Sequence, residues 1–200
     1  MPFTRYAVET LISDKITKVT ECNVGDLFAE FPEARNWVSR FGLMVIFVDQ
    51  PREEVRPFAL QFVRRTEMAL TEYASAREEL RSFVSRNGGV WSPYFRALYH
   101  FEAAVAQLYQ VFDYSRKVLD TKLFDGSDGS PLSRLNLIYN TSKHQLAEAD
   151  LPIWITNEGI ESADSKLAFS EMEDLLRSAA RIATKLTRTS SPTERSQNDV

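Results

Sequence analysis

A chain of 200 residues with 44% hydrophobic and 26% charged side chains carries enough apolar material for one packed domain. Its 24 basic and 28 acidic residues leave a net charge of −4, which excludes a generally cationic, nucleic-acid-coating surface but leaves room for a local basic patch. A single cysteine, Cys22, and two histidines, His100 and His144, exclude an intramolecular disulfide, a multi-cysteine zinc site and a histidine-rich metal centre.

The opening MPFTRYAVET lacks the basic-then-apolar pattern of a secretory leader. The longest apolar run, Phe41 to Val48, is far short of the ~20 residues that span a bilayer. That run reads as buried core, and the expected setting is cytoplasmic, without a membrane partner.

In chain order, the first helix is predicted over Thr4–Val19, ended by Asn23-Val24-Gly25. A second runs from Pro32 to about Val48. The longest is expected from Pro51 to Arg86, with Pro57 kinking it or moving its start. Its residues Ala69, Tyr73, Ala76, Leu80 and Phe83 alternate spacings of four and three and so share a face. Asn87-Gly88-Gly89 is a strong stop, because glycine takes the left-handed cap conformation freely.

Ser92-Pro93 opens the next helix, whose Leu98, Phe101, Val105, Leu108 and Phe112 form the cleanest core stripe in the chain. Asp125 to Ser130 is a turn-rich loop. It loosely resembles a calcium loop, but Gly129 stands where an oxygen-bearing side chain is expected and no closing bidentate glutamate follows at the right spacing. Ser130 then caps a helix with Pro131 in its first position, and Leu132, Leu135, Tyr139, Ser142 and Leu146 line one face.

From Leu151 the helical pattern stops. Ile153-Trp154-Ile155-Thr156 reads as a strand, Asn157-Glu158-Gly159 as a turn, and Lys166 to Phe169 as a returning strand, together a small hairpin. Ser170 to Glu173 matches a capping box at the start of the last helix. That helix carries Met172, Leu176, Ala179, Ala183 and Leu186 on one face. The expected fold is all-α: an up-down bundle of five or six helices with a small β-hairpin before the last one. It occupies one domain over residues 1–188, followed by a polar tail, 189–200, expected to be disordered.

No phosphate loop, GxGxxG, HExxH or GxSxG pattern is present. Chemistry concentrates instead between Arg134 and His144. On a helix, Asn136, Asn140 and His144 are each four apart and form a polar ridge, with Lys143 about 100° from His144. An imidazole can serve as general acid or base near neutral pH. A neighbouring carboxamide can hydrogen-bond a ring nitrogen or a phosphate oxygen, and a cation can offset phosphate charge. The same residues also suit an ordinary solvated helix face.

The run Asn140-x-x-Lys143-His144 resembles the signature helix of the HEPN superfamily (higher eukaryotes and prokaryotes nucleotide-binding domain). The flanking residues Asp128-Gly-Ser130, Arg134-Leu-Asn136 and Ile153 to Gly159 are similar to those of uncharacterised bacterial members. The resemblance implies a HEPN-like bundle over 1–188 that dimerises, with the motif helices of two subunits facing one cleft. It further implies binding of RNA or nucleotide, or metal-independent endoribonuclease activity without cofactor, in a bacterial defence or toxin–antitoxin setting. An antitoxin or a nucleotidyltransferase is the partner such members take. His144 and Asn140 map onto the catalytic histidine and its polar companion, and Lys143, Asn136, Arg134 and Tyr139 are the accompanying binding residues. Tyr139 stands where the family's cutting motif has arginine, so the phosphate-clamping role is unfilled. Enzyme status therefore stays open, with binding ahead of cleavage. The alternative is a non-catalytic helical dimerisation or protein-interaction module.

Overall fold

Proline, capping side chains and apolar spacing divide the described residues into seven helical segments, three short strands and a last helix. The computed structural model describes residues 13–48, 51–87, 89–120, 128–143, 153–163 and 165–188. In these, α1 is Asp14–Thr17, α2 Leu27–Glu30, a 3-10 turn Pro32–Asn36, α3 Trp37–Val48, α4 Arg56–Ser85, α5 Ser92–Leu119 and α6 Pro131–Lys143. Three short strands follow, β1 Ile153–Ile155, β2 Gly159–Ser162 and β3 Lys166–Ala168, and α7 is Phe169–Thr187. The all-α bundle with a β excursion before its last helix is thus the observed architecture. Among the described residues no helix is long and apolar enough to cross a membrane.

Helices α4 and α5 are the spine. They run antiparallel, and every residue of their two predicted stripes is buried. On the outer edge of their seam a polar ladder repeats at heptad spacing along α4. Arg65 Nη1 donates to Gln107 Oε1 at 2.7 Å, Glu72 Oε2 lies 2.6 Å from His100 Nδ1, and Glu79 receives Arg96 through two bonds of 2.8 and 2.7 Å. Pro57 sits in the first turn of α4, which starts at Arg56, where an amide would lack a partner anyway. At the other end Asn87, rather than a glycine, takes the left-handed conformation, with φ 50°.

Four expectations need correction. The helix predicted over Thr4–Val19 appears in the described residues as a single turn, α1, capped by Ser13 Oγ, which accepts from Lys15 N at 3.1 Å; residues 1–12 lie outside the described set. The chain then runs extended because its amides find side chains instead of helical carbonyls: Asn157 Oδ1 accepts from Thr20 N at 2.9 Å and from Glu21 N at 3.2 Å. The run Phe41–Val48 is only half core, since α3 buries Phe41 and Met44 while Leu43, Ile46 and Phe47 face outward. The hairpin is a three-stranded antiparallel meander, in order β1-β2-β3. The two predicted strands flank β2 and do not pair with each other, with Ile155 opposite Ile160 and Ile160 opposite Leu167.

The fourth correction concerns the start of α7. Ala168, not Ser170, precedes the first turn, and Glu171 Oε2 accepts from Ala168 N at 3.1 Å. Glu173 is left free for another task. Glu173 is 9% exposed, and its carboxylate accepts from Gly25 N and the Tyr73 hydroxyl, both at 2.7 Å, and from Arg177 Nη2 at 3.2 Å. Arg177 in turn clasps Glu30 with two bonds of 2.8 Å. The extended segment, α4 and α7 are thereby tied through one buried acid. Burial and this acid push the Tyr73 hydroxyl well above its ordinary pKa. A Cβ added at Gly25 would sit 2.9 Å from Glu173 Oε1, so any larger residue there would push the carboxylate away from the Gly25 amide.

The sheet is fixed to the spine by Tyr94 of α5. Its hydroxyl accepts from Ile155 N at 2.9 Å, and Ile153, Ile155, Ile160 and Leu167 are buried beneath. Phe169 stacks on Phe101 at 5.1 Å between ring centres, which carries the core from α5 into α7.

Candidate functional site

Helix α6 is positioned by its first turn and by one apolar side. Ser130 Oγ accepts from Ser133 N at 3.2 Å while Asp128 Oδ1 accepts from Ser130 N at 2.9 Å, so the cap itself is held. Pro131 fills the first helical position. Leu132, Leu135 and Ile138 pack inward, the last two at 0% exposure. The inward spacing is thus 132-135-138, and Tyr139 sits at the margin of the core instead of on its centre line.

Tyr139 is half-buried and stacks on Tyr109 of α5, with ring centres 4.2 Å apart and planes inclined by 13°. That stack joins α6 to α5 and occupies one face of the tyrosine ring.

The outward side carries the predicted ridge. Asn140 is exposed and its Nδ2 donates to Asn136 Oδ1 at 3.1 Å, one turn back. The bond uses one donor of Asn140 and leaves its carbonyl oxygen and the Asn136 amide without a further partner among the described residues. Lys143, the last described residue of α6, is exposed. His144 lies outside the described residues. Asn136, Asn140 and Lys143 therefore share one side of one helix, a surface of amide donors, amide acceptors and one cation.

Arg134 is placed elsewhere. Its Nε donates to Glu171 Oε2 at 3.3 Å, Nη2 pairs with Glu171 Oε1, and Nη1 donates to the Gly129 carbonyl. Two residues from Asn136 is a rotation of about 200° on a helix. The guanidinium therefore staples α6 to the first turn of α7 and to the loop before α6, and does not join the ridge.

Among the described residues no group of three or more His, Cys, Asp or Glu side chains is placed to hold a metal ion. His100 falls in no motif of the sequence. In the structure it belongs to the α4–α5 ladder beside a shallow groove lined by Phe28, Arg35, Thr71, Ser75 and Glu79. The signal was present as the seven-residue spacing of Arg65, Glu72 and Glu79.

Compared with known protein families, characterised proteins and solved structures, the chain matches none.

Proposed function

We propose that this chain is a HEPN-like helical protein that binds RNA or a nucleotide along the outward side of α6. The observation that carries this reading is the Asn140–Asn136 bond of 3.1 Å on the solvent side of a helix whose opposite side is sealed by Leu135 and Ile138. Prepaired carboxamides are ordered before any ligand arrives, which lowers the entropy lost on binding. They offer a donor and an acceptor to phosphate oxygens or base edges, and Lys143 adds a cation beside them.

Binding is favoured over cleavage. Metal-independent cleavage needs a base for the ribose 2′-hydroxyl and a cation for the phosphate in the transition state. His144 is the residue for the first task. For the second, Tyr139 replaces the family's arginine, and the Arg134 fork is committed to Glu171 and Gly129. A bacterial defence or toxin–antitoxin setting, an antitoxin or nucleotidyltransferase partner and a cytoplasmic location belong to the same proposal. The test is incubation of the full chain with single-stranded RNA and analysis of the termini. Bound but uncut RNA supports the reading. A 2′,3′-cyclic phosphate lost in His144→Ala assigns cleavage to the same helix, and neither binding nor cleavage overturns the proposal.

A second reading, a non-catalytic interaction module, is favoured by one separate observation: the outward apolar residues of α3. Binding to another protein through that helix does not compete with the α6 ridge for side chains.

A further inference from the structure

A groove of about 570 Å³ lies beside the His100 rung of the α4–α5 ladder, a space within the range of small-ligand sites. Three parts of the chain line it. Arg35 of the 3-10 turn comes with Phe28 of α2, Ser75, Glu78 and Glu79 come from α4, and His100 comes from α5.

The polar groups of this lining divide into satisfied and free. Glu79 is held by the Arg96 fork at 2.8 and 2.7 Å, and Glu78 by Arg77 at 2.9 Å and Arg81 at 3.4 Å. Arg35 has no hydrogen bond or ion pair among the described residues; its guanidinium carbon lies 4.9 Å from the centre of the Phe28 ring. The Ser75 hydroxyl is likewise without a bond among them. Both carboxylates of the lining thus have their cations, and the one uncompensated charge is the Arg35 guanidinium.

His100 is oriented. Glu72 Oε2 lies 2.6 Å from its Nδ1, and the two side chains are 25% and 26% exposed. With Nδ1 engaged, Nε2 is the ring nitrogen left for a ligand. The neutral ring gives its Nδ1 proton to Glu72 and offers Nε2 as an acceptor, whereas the charged ring offers Nε2–H as a donor.

We infer that this groove binds a phosphate group that retains a proton, with its anionic oxygens on Arg35 and Ser75 and its hydroxyl on His100 Nε2. Such a phosphate carries O–H and O⁻ together, so it can bond either form of the ring. Sulfate has the same shape but no proton, and suits the charged ring alone. The charged groups around His100 are Glu72 and Glu79 of α4, Arg96 on its own helix and Arg35 in the same groove. Glu79 and Arg96 offset each other, which leaves Arg35 to balance the anion. The site shares no residue with α6 and does not rest on the nucleic-acid reading.

Nuclear magnetic resonance of the imidazole tests the inference in the full chain. In His144→Gln the one histidine left is His100, whose ring signals report both its own charge and a ligand beside it. Inorganic phosphate and sulfate are titrated between about pH 6 and about pH 9. Where the ring reads as neutral, phosphate is expected to saturate the signals at roughly millimolar concentration. Sulfate there should bind at least about ten-fold more weakly, because Nε2 gains no donor from it. Glycerol 3-phosphate separates a monoester site from one for the free ion, and saturation by either supports the inference. Arg35→Gln should weaken phosphate about ten-fold and Ser75→Ala less. Arg35 is exposed and bonds to no other element, so folding should persist. The readout is local to the groove, so phosphate taken up at α6 does not mimic it, and failure here leaves the α6 reading standing. His100 signals unmoved by phosphate overturn the inference, as do equal affinities for phosphate and sulfate at the neutral ring, or binding that survives Arg35→Gln.

Discussion

Arg134 of α6 and Glu171 of α7 form a bridge through which two neighbouring elements share one carboxylate. Glu171 receives the guanidinium and also accepts from Ala168 N at 3.1 Å, so the same side chain starts α7 and anchors α6. An arginine that looks like a phosphate ligand in sequence is thus an architectural residue. Arg134→Ala should lower unfolding stability by about 1–2 kcal/mol in urea titrations. Its RNA affinity should match the parent once the folded fraction is taken into account. Lysine should restore little of the stability, because a single ammonium cannot reach Glu171 and the Gly129 carbonyl as a fork does.

Glu173 is a stricter dependency. It gathers an amide, a phenol and a guanidinium from three parts of the chain. Glu173→Ala leaves the Gly25 amide, the Tyr73 hydroxyl and Arg177 without this acceptor. Breaking a buried charged network on one side costs about 3–5 kcal/mol. Glu173→Gln should cost less, since its carbonyl oxygen still accepts. Chemical denaturation of the two variants beside the parent checks the order.

Acid should loosen the contact between α2 and α7 and the seam between α4 and α5. Hydrogen bonding to Arg177 holds the Glu30 carboxyl below the ordinary 4.5, and hydrogen bonding to Arg96 does the same for Glu79. A carboxyl lowered by folding contributes stability above its unfolded value and loses it as pH falls through the folded one. These two pairs should therefore contribute fully above about pH 5 and progressively less below about 4.5. Thermal melts over a pH series should show this acid limb. Arg177→Ala should make the limb shallower by removing the Glu30 contribution.

The helical core was legible from spacing alone. The stripes of α4 and α5 are long and strictly periodic, so local pattern and tertiary burial agree. What the pattern missed has physical causes. Leu43, Ile46 and Phe47 are as apolar as Phe41 and Met44, and hydropathy does not tell which side of α3 has a neighbour. Strand β2 has one apolar residue inside it, Ile160, and escaped notice beside the β-branched Ile153–Thr156. Glu173 fits a capping box three positions after Ser170, but a partner at Gly25, 148 residues away, is invisible to local reading. At the candidate site the pairing of Asn136 with Asn140 followed from four-residue spacing, with Lys143 beside it, while His144, the last member of the expected ridge, lies outside the described residues. The diversion of Arg134 to Glu171 did not, because it depends on how α7 is placed.

Fluorescence anisotropy of a labelled single-stranded RNA, titrated with the full chain at low salt, decides whether α6 is a nucleic-acid surface. The parent should bind and weaken as salt rises, with a shallow slope because the ridge supplies few cations. Asn140→Leu combined with Lys143→Glu should lose at least ten-fold in affinity while retaining the parent's unfolding stability. Absence of binding at low salt, or binding that survives that double substitution, contradicts the assignment of α6.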